Sequence, residues 1–234
     1  MNTELIKTED GSHSLYVKEL NEHYHSTHGA IQESKHVFIE AGLKHFFATH
    51  QTEKINILEI GLGTGLNTLL TFLETQDLSQ TTDYTAVEAF PISSELAKKL
   101  NYVELLSNEN EALQADLQHT FNLLHDSEWE KKIPLSNHFH FKKIKKTLQQ
   151  VNFENEQFGL VYFDAFGPPV QPEMWTEMIF QKIYKATKPG GMLVTYCAKG
   201  EVKRTLKKVG FTIESIPGPP GKREMVRAKK EVGY

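Results

Sequence analysis

The 234-residue chain has one cysteine, Cys197, so no disulfide can close within it, and a lone thiol fits a reducing cytosol. No apolar run approaches the ~20 residues that cross a bilayer as a helix. The polar N-terminus also lacks the apolar core of a signal peptide, so a cytoplasmic protein without a membrane anchor is expected. The net charge, -4, is too small and of the wrong sign for a surface coated uniformly for nucleic acid. Repeats and domain-dividing linkers are missing too. The nearest thing to a metal motif is His23, His25 and His28, which no Cys, Asp or Glu joins at a ligand spacing. They read as surface or pocket-lining histidines, and no metal is expected.

What is present is the composition of one well-buried globular unit, 39% apolar and 24% charged. Its charge is unevenly spread. Thirteen Lys/Arg against three Asp/Glu lie between Lys182 and Lys230, a local excess of ten, which leaves -14 on the remainder. Lys142, Lys143, Lys145 and Lys146 form a second basic cluster. Such asymmetry marks either a face that meets phosphates or solvated helix surfaces.

The stretch that organises the chain is Ile55–Ile60 followed by Gly61, Gly63 and Gly65. A short apolar run with β-branched residues reads as a buried parallel strand, and Leu66–Glu74 behind the glycines has helical spacing. Glycine permits both a tight turn and close approach of backbone to a ligand. Dinucleotide sites space these glycines G-x-G-x-x-G, so that a pyrophosphate meets the helix N-terminus. Here the spacing is G-x-G-x-G with Glu59 two residues upstream, which favours S-adenosylmethionine: it has no phosphate, and an acid can serve its cationic end. A dinucleotide site and a plain structural turn remain as alternatives.

Asp83–Glu88 reads as the second strand, its terminal acid placed to accept hydrogen bonds from two ribose hydroxyls. Helices are expected over Ile31–His50, from Pro91 and Ser93 onward, over Glu109–His125, Pro172–Thr187 and Glu201–Lys208. Ser12–Val17, His138–Phe141, Phe158–Asp164 and Met192–Cys197 read as strands, with a turn at 188–191 before the last of these. Phe211–Ile216 and Arg223–Lys229 form a terminal hairpin. The alternation implies an α/β fold whose sheet is mostly parallel, with helices on both faces. Gly61–Gly65, Glu88 and Asp164 then converge beyond the carboxyl ends of the strands, and Asp164 is the candidate for chemistry.

These residues resemble class I S-adenosylmethionine methyltransferases. Gly61-Leu62-Gly63-Thr64-Gly65-Leu66-Asn67, Val87-Glu88-Ala89-Phe90-Pro91, Phe163-Asp164-Ala165-Phe166-Gly167-Pro168, Pro172-Glu173-Met174-Trp175-Thr176 and Gly221-Lys222-Arg223-Glu224-Met225 are similar to one branch in particular. That branch is the tRNA (5-methylaminomethyl-2-thiouridine) methyltransferase family, found as half of a bifunctional tRNA-modifying protein and as a standalone enzyme. The resemblance implies a Rossmann-like fold with a seven-stranded, mostly parallel sheet and an antiparallel C-terminal strand. Residues 1–50 would be an extension of short strands and a helix, packed on a methyltransferase domain over 51–234 as one globular unit. It implies methylation of the primary amine of 5-aminomethyl-2-thiouridine at the tRNA wobble position.

On that resemblance, Tyr24, Glu59, Gly61, Gly63, Thr64, Gly65, Asn67, Glu88 and Ala89 hold the cofactor, and Asp164 serves the substrate amine. Phe166 and Trp175 are candidates to stack on a flipped uracil, with core packing an equal reading for Trp175, which falls in an expected helix. Lys199, Lys203, Arg204, Lys222 and Arg223 are candidates for tRNA phosphates. With no second glycine fingerprint before Tyr234, the chain is expected only to methylate, a separate enzyme supplying the free amine. One departure stands out: the family's Gly-Asp after the third strand, an adenine contact, is matched by Lys142-Lys143. Lysine accepts no hydrogen bond from an adenine amino group, so either the match is displaced or backbone carbonyls take the contact. The rivals are a methyltransferase of a small amine, a catalytically idle RNA-binding protein, and, less well matched by the glycine spacing, a nicotinamide oxidoreductase.

Overall fold

The computed structural model describes residues 3–233; Met1, Asn2 and Tyr234, inside the expected extension and catalytic unit, lie outside the described residues. An N-terminal antiparallel sheet is formed by β1 (Thr3–Lys7), β2 (His13–Val17) and β3 (Glu22–His23). The main sheet contains β4 (Lys54–Ile60), β5 (Thr81–Val87), β6 (Lys132–Pro134), β7 (Phe139–Ile144), β8 (Phe158–Phe163), β9 (Thr187–Thr195), β10 (Thr212–Pro217) and β11 (Glu224–Lys229). Their spatial order is β10-β11-β9-β8-β4-β5-β7-β6.

From β7 through β5, β4 and β8 to β9 the strands are parallel, and β11 runs antiparallel to β9 and to β10. This is the expected sheet plus one strand. The addition, β6, is a three-residue antiparallel edge whose Pro134 has no N–H to give a further neighbour, so its short sequence carries no strand pattern. Chain order runs outward from β4 through β5 to β7 on one side and from β8 through β9 to β11 on the other. The crevice between their carboxyl ends is therefore the switch point at which open α/β sheets bind ligands.

The parallel strands are continuous apolar runs because helices cover both faces. On β8 every residue is buried. One face packs against helices Leu66–Thr75, Tyr102–Ser107 and Glu111–Asp126 through Leu69, Leu70, Val103, Leu117 and Phe121. The other packs against Glu177–Ala186 and Gly200–Lys208 through Ile179, Phe180, Ile183, Val202 and Leu206.

The expected helix over Ile31–His50 is present from residue 30 to 49, its middle, Lys35–Lys44, hydrogen-bonded as a π-helix. The expected Pro172–Thr187 helix is broken into a 3₁₀ turn, Pro172–Trp175, and Glu177–Ala186, because Thr176 turns extended and caps the second piece through Ile179 N. The turn expected at 188–191 lies within the irregular start of β9, where the pairing with β8 slips in register. Among the described residues no helix is long and apolar enough to cross a membrane.

Lys143 also departs from expectation. It lies within β7, not after it, and is buried. Its Nζ donates to Leu124 O at 2.9 Å and His125 O at 2.6 Å, and stands 4.7 Å over the Trp129 ring. Desolvation holds the ammonium down at about 8. Lys143 thus satisfies carbonyls at the end of Glu111–Asp126, where a helix has no internal donors left. Lys143→Met is expected to lower stability by about 1–3 kcal/mol, since both carbonyls lose their donor; denaturant titration against the parent protein measures it.

Candidate active site

The site begins where three strand ends meet. Gly61 has φ +91°, and a Cβ there would lie 2.5 Å from the Asp164 carbonyl oxygen, so conformation and space both demand glycine. Asp164 N donates to Ile60 O and Gly61 N to Val87 O, each at 2.9 Å. These bonds join β4, β5 and β8 at their carboxyl ends, beneath a cavity of about 990 Å³.

Gly61, Gly63, Thr64 and Asn67 line this cavity, as do Glu88 and Ala89 beyond β5. Tyr24 reaches in from the N-terminal segment: a Cβ on Gly63 would stand 3.1 Å from its ring. The two oxygens of Glu88 accept from Gly63 N at 2.9 Å and Phe90 N at 2.8 Å, which aims the carboxylate and leaves each oxygen a further lone pair. Burial beside Glu88 keeps the Tyr24 phenol well above its ordinary range. Thr64 Oγ1 lies 2.8 Å from His25 Nε2, and Thr64 O 3.2 Å from His125 Nε2. Burial lowers both imidazoles to about 4, so they are neutral here. Gly65 stands behind the wall as the N-cap of Leu66–Thr75, with φ +77°.

Asp164 faces the cavity from the end of β8, its Oδ2 accepting from Asn67 Nδ2 at 2.8 Å. Burial raises its carboxyl to about 7 against the opposing pull of that hydrogen bond; Glu33 adds to the rise and Lys222 reduces it. Glu33 accepts from Ser26 N at 2.8 Å and forms a short ion pair with Lys222, whose Nζ sits 3.9 Å over the Tyr196 ring. Tyr196 Oη donates to Ala165 O at 2.8 Å. His36 Nε2 meets Pro217 O at 2.9 Å, so the β10–β11 loop and the N-terminal segment are tied together beside the cavity. Phe166 lines it and meets Tyr24 edge-on at 5.2 Å.

Several expected site residues stand elsewhere. Glu59 is fully buried beneath the turn and does not line the cavity, so it is not a direct ligand of the cofactor's cationic end. Trp175 is 6% exposed, packs edge-on against Phe163 and donates from Nε1 to Phe166 O at 2.8 Å; it supports Phe166 and offers no face to a base. Lys222 is inside the cavity and paired with Glu33, not on an outer phosphate face. Lys203 is paired with Glu224 at 2.8 Å. Lys199, Arg204 and Arg223 are exposed.

Neither Lys142 nor Lys143, the residues matched to an adenine contact, lines the cavity. It is Lys146–Gln149, past the end of β7, that borders the cavity, and Lys182 Nζ braces that segment by donating to Leu148 O, Gln149 O and Val151 O at 2.8 Å each. Glu33 and Tyr196 were not anticipated, each reaching the cavity from a segment with no motif of its own, whereas His25 lines it as the pocket-lining reading of the histidines expected. A signal did exist for 146–149, since β7 alternates buried and half-buried residues as far as Lys142 and so extends past Phe141.

A family model described as S-adenosyl-L-methionine-dependent methyltransferase matches residues 106–231. The tRNA 5-methylaminomethyl-2-thiouridine biosynthesis bifunctional protein MnmC of Aeromonas salmonicida is 31% identical over 231 residues, covering 88% of this chain and 32% of that protein. Its namesake in Nitrosospira multiformis is 28% identical over 225 residues, covering 91% and 35%. The chain therefore spans about a third of the length of these relatives. The crystal structure of MNMC2 from Aquifex aeolicus is similar in fold, with a TM-score of 0.73 at 23% identity, over 99% of this chain and 71% of that one.

The cavity suits S-adenosylmethionine by the chemistry of its donors. Paired acceptors on Glu88 fit two ribose hydroxyls, the glycine turn leaves backbone room, and the carboxyls of Glu33, Glu88 and Asp164 favour a sulfonium cation. Glu88→Ala is expected to weaken S-adenosylhomocysteine binding about 10- to 100-fold, as for lost hydrogen bonds to a charged acceptor, with calorimetry as the measurement. With its glycine turn, strand-end acids and matching family model, the chain belongs to the S-adenosyl-L-methionine-dependent methyltransferase family.

Proposed function

We propose that this chain methylates the primary amine of 5-aminomethyl-2-thiouridine at the wobble position of tRNA, giving 5-methylaminomethyl-2-thiouridine. The observation that carries the reading is Asp164: a carboxyl at the end of β8, facing the cavity next to the glycine turn, with its protonation midpoint at about 7. The relatives are named for biosynthesis of this nucleoside, which supports the substrate. The exposed Lys199, Arg204 and Arg223 lie at or near the carboxyl-end side of the sheet and supply charge for phosphates. Residues 1–50 then act as an extension that completes the cavity over the domain 51–234, through Tyr24, His25 and Glu33. The reaction needs an amine already exposed, which another activity must supply, and the cytoplasm is where we place it.

The cofactor, held by the glycine turn, Tyr24, Glu88 and Ala89, supplies a methyl group made electrophilic by its sulfonium. A primary aminomethyl group is mostly protonated at neutral pH and then has no lone pair to attack with. Asp164, ionised above about pH 7, holds the ammonium and takes its proton onto a carboxylate oxygen, freeing the nitrogen. Asn67 fixes Oδ2, which leaves Oδ1 for the amine. Phe166 and Tyr24 make an aromatic corner against which a uracil ring can pack, and the neighbouring walls exclude water.

Asp164→Ala should lower kcat about 10²- to 10⁴-fold while leaving S-adenosylhomocysteine affinity nearly unchanged. Because the carboxyl must be ionised to accept the proton, parent turnover should fall as pH drops through about 7. Equal loss of affinity and turnover in the variant would count against the role. The direct test of substrate is nucleoside mass spectrometry of tRNA from a strain lacking the gene. Accumulated 5-aminomethyl-2-thiouridine is expected, and unchanged 5-methylaminomethyl-2-thiouridine would overturn the reading.

A further inference from the structure

We propose that Lys222 and Glu33 together receive the zwitterionic amino-acid end of S-adenosylmethionine. The Lys222 ammonium takes its α-carboxylate, and the Glu33 carboxylate its α-ammonium. The inference rests on the cofactor alone and is independent of the tRNA substrate. It starts from an ion pair inside the cavity that has no part in the proton transfer assigned to Asp164.

The place of the pair along the sheet points to this end of the cofactor. Across the carboxyl ends of the parallel strands the order is β9, β8, β4, β5, β7. Glu88, beyond β5, offers its acceptors to the ribose. Ala89, Phe90 and Leu148 line the side beyond β5 and β7, an apolar lining fit for a purine. The rest of the cofactor then runs the other way, over the glycine turn after β4 and toward β8 and β9. Tyr196 follows β9 directly, and Lys222 Nζ stands 3.9 Å over its ring. The pair therefore closes the end of the cavity opposite the apolar side.

Charge narrows the choice further. Histidines apart, Lys146 and Lys222 are the cationic residues that line the cavity, against Glu22, Glu33, Glu88, Asp164 and Glu173. A carboxylate brought among those acids without a cation of its own would be repelled as well as desolvated. Lys146 follows β7 on the purine side, which leaves Lys222. An ammonium has three N–H groups; one goes to Glu33 Oε1 and the charge rests on the Tyr196 ring face, so donor capacity remains for a ligand. The Lys222 side chain is 33% exposed, open to what enters the cavity. Glu33 accepts from Lys222 at Oε1 and from Ser26 N at Oε2, and each oxygen keeps a further lone pair for an ammonium. An anion and a cation held side by side match a molecule whose ammonium and carboxylate share one carbon.

The loop that carries Lys222 is built to hold it there. Lys222 N donates to Pro219 O at 2.9 Å, and Gly218 N to Arg223 O at 3.3 Å. Gly221 has φ +83°, and a Cβ on it would collide with the His28 ring, so the loop lies directly on the N-terminal segment that carries Glu33. A pair that only ties this segment to the loop would make the same contacts. Ligands that differ at the amino-acid end separate the two roles.

The test is calorimetry of the full chain with three nucleosides. These are S-adenosylhomocysteine, its decarboxylated analogue, which keeps the ammonium, and 5′-methylthioadenosine, which lacks the whole amino-acid end. The parent should bind S-adenosylhomocysteine about 10- to 100-fold more tightly than the decarboxylated analogue, as for a hydrogen bond between charged groups. In Lys222→Met that preference should shrink to within about threefold, with 5′-methylthioadenosine affinity unchanged by the same margin. If Lys222→Met does not fold because Glu33 is left unpaired, the double exchange Glu33→Gln with Lys222→Met removes both charges together. It is held to the same loss of the carboxylate preference. A preference that survives in these variants would overturn the proposal. So would a loss falling equally on all three nucleosides, the mark of a pair that only shapes the cavity. Failure of the parent to methylate the tRNA nucleoside would instead sink the proposed substrate, while the three affinities would still judge Lys222.

Discussion

The contact on which the site depends is backbone against backbone: Gly61 lying on the Asp164 carbonyl, with hydrogen bonds from Asp164 N to Ile60 and from Gly61 N to Val87. Any side chain at Gly61 would force β4 and β8 apart, and the two walls of the cavity with them. Because main-chain atoms make the contact, the Asp164 carboxyl is left to face the cavity. The same turn starts the Leu66–Thr75 helix, so Asn67 and Thr68 are delivered within one turn of the glycines. Thr68 points back to Glu59 and Asn67 forward to Asp164, so a single bend organises both the buried and the exposed part of the acid network.

Charge is the second constraint. The proposed reaction brings a cationic donor to an amine that binds as a cation, and the cavity meets this with Glu33, Glu88 and Asp164, offset by Lys222. Carboxyls gathered in a desolvated place repel one another, and each is handled differently. Glu88 is stabilised by two backbone N–H groups, Glu33 by Lys222 and Ser26 N, and Asp164 by one amide. Glu59 is completely buried, and desolvation raises it to about 8. Burial raises the Asp164 carboxyl, which faces the cavity, to about 7. That is the property a proton acceptor needs.

Much of this was legible in the residues. Alternating glycines after an apolar run and acids at the ends of two further runs announce a ligand crevice, because these features are local and their geometry follows from strand and turn chemistry. Glu33 and Lys222 were hidden or misplaced for the opposite reason. They reach the cavity only through the packing of the N-terminal segment against the β10–β11 loop, contacts about 180 residues apart in sequence that no local pattern encodes. Trp175 looked like a stacking platform because aromatic residues suit bases, but an indole N–H also caps a carbonyl well, and tertiary packing chose that use. Lys143 looked exposed because lysine usually is, yet a helix end needing donors drew it inside.

The central claim is spatial, and a crystal structure of the chain with S-adenosylhomocysteine and an anticodon stem-loop carrying 5-aminomethyl-2-thiouridine tests it most directly. The account predicts the thioether sulfur above Gly61–Gly65, the ribose on Glu88, and the amine nitrogen held by Asp164 Oδ1 with a clear line to the sulfur, about 3–3.5 Å from where the methyl would stand. An amine bound away from Asp164, or a cofactor seated anywhere but over the glycine turn, would contradict it.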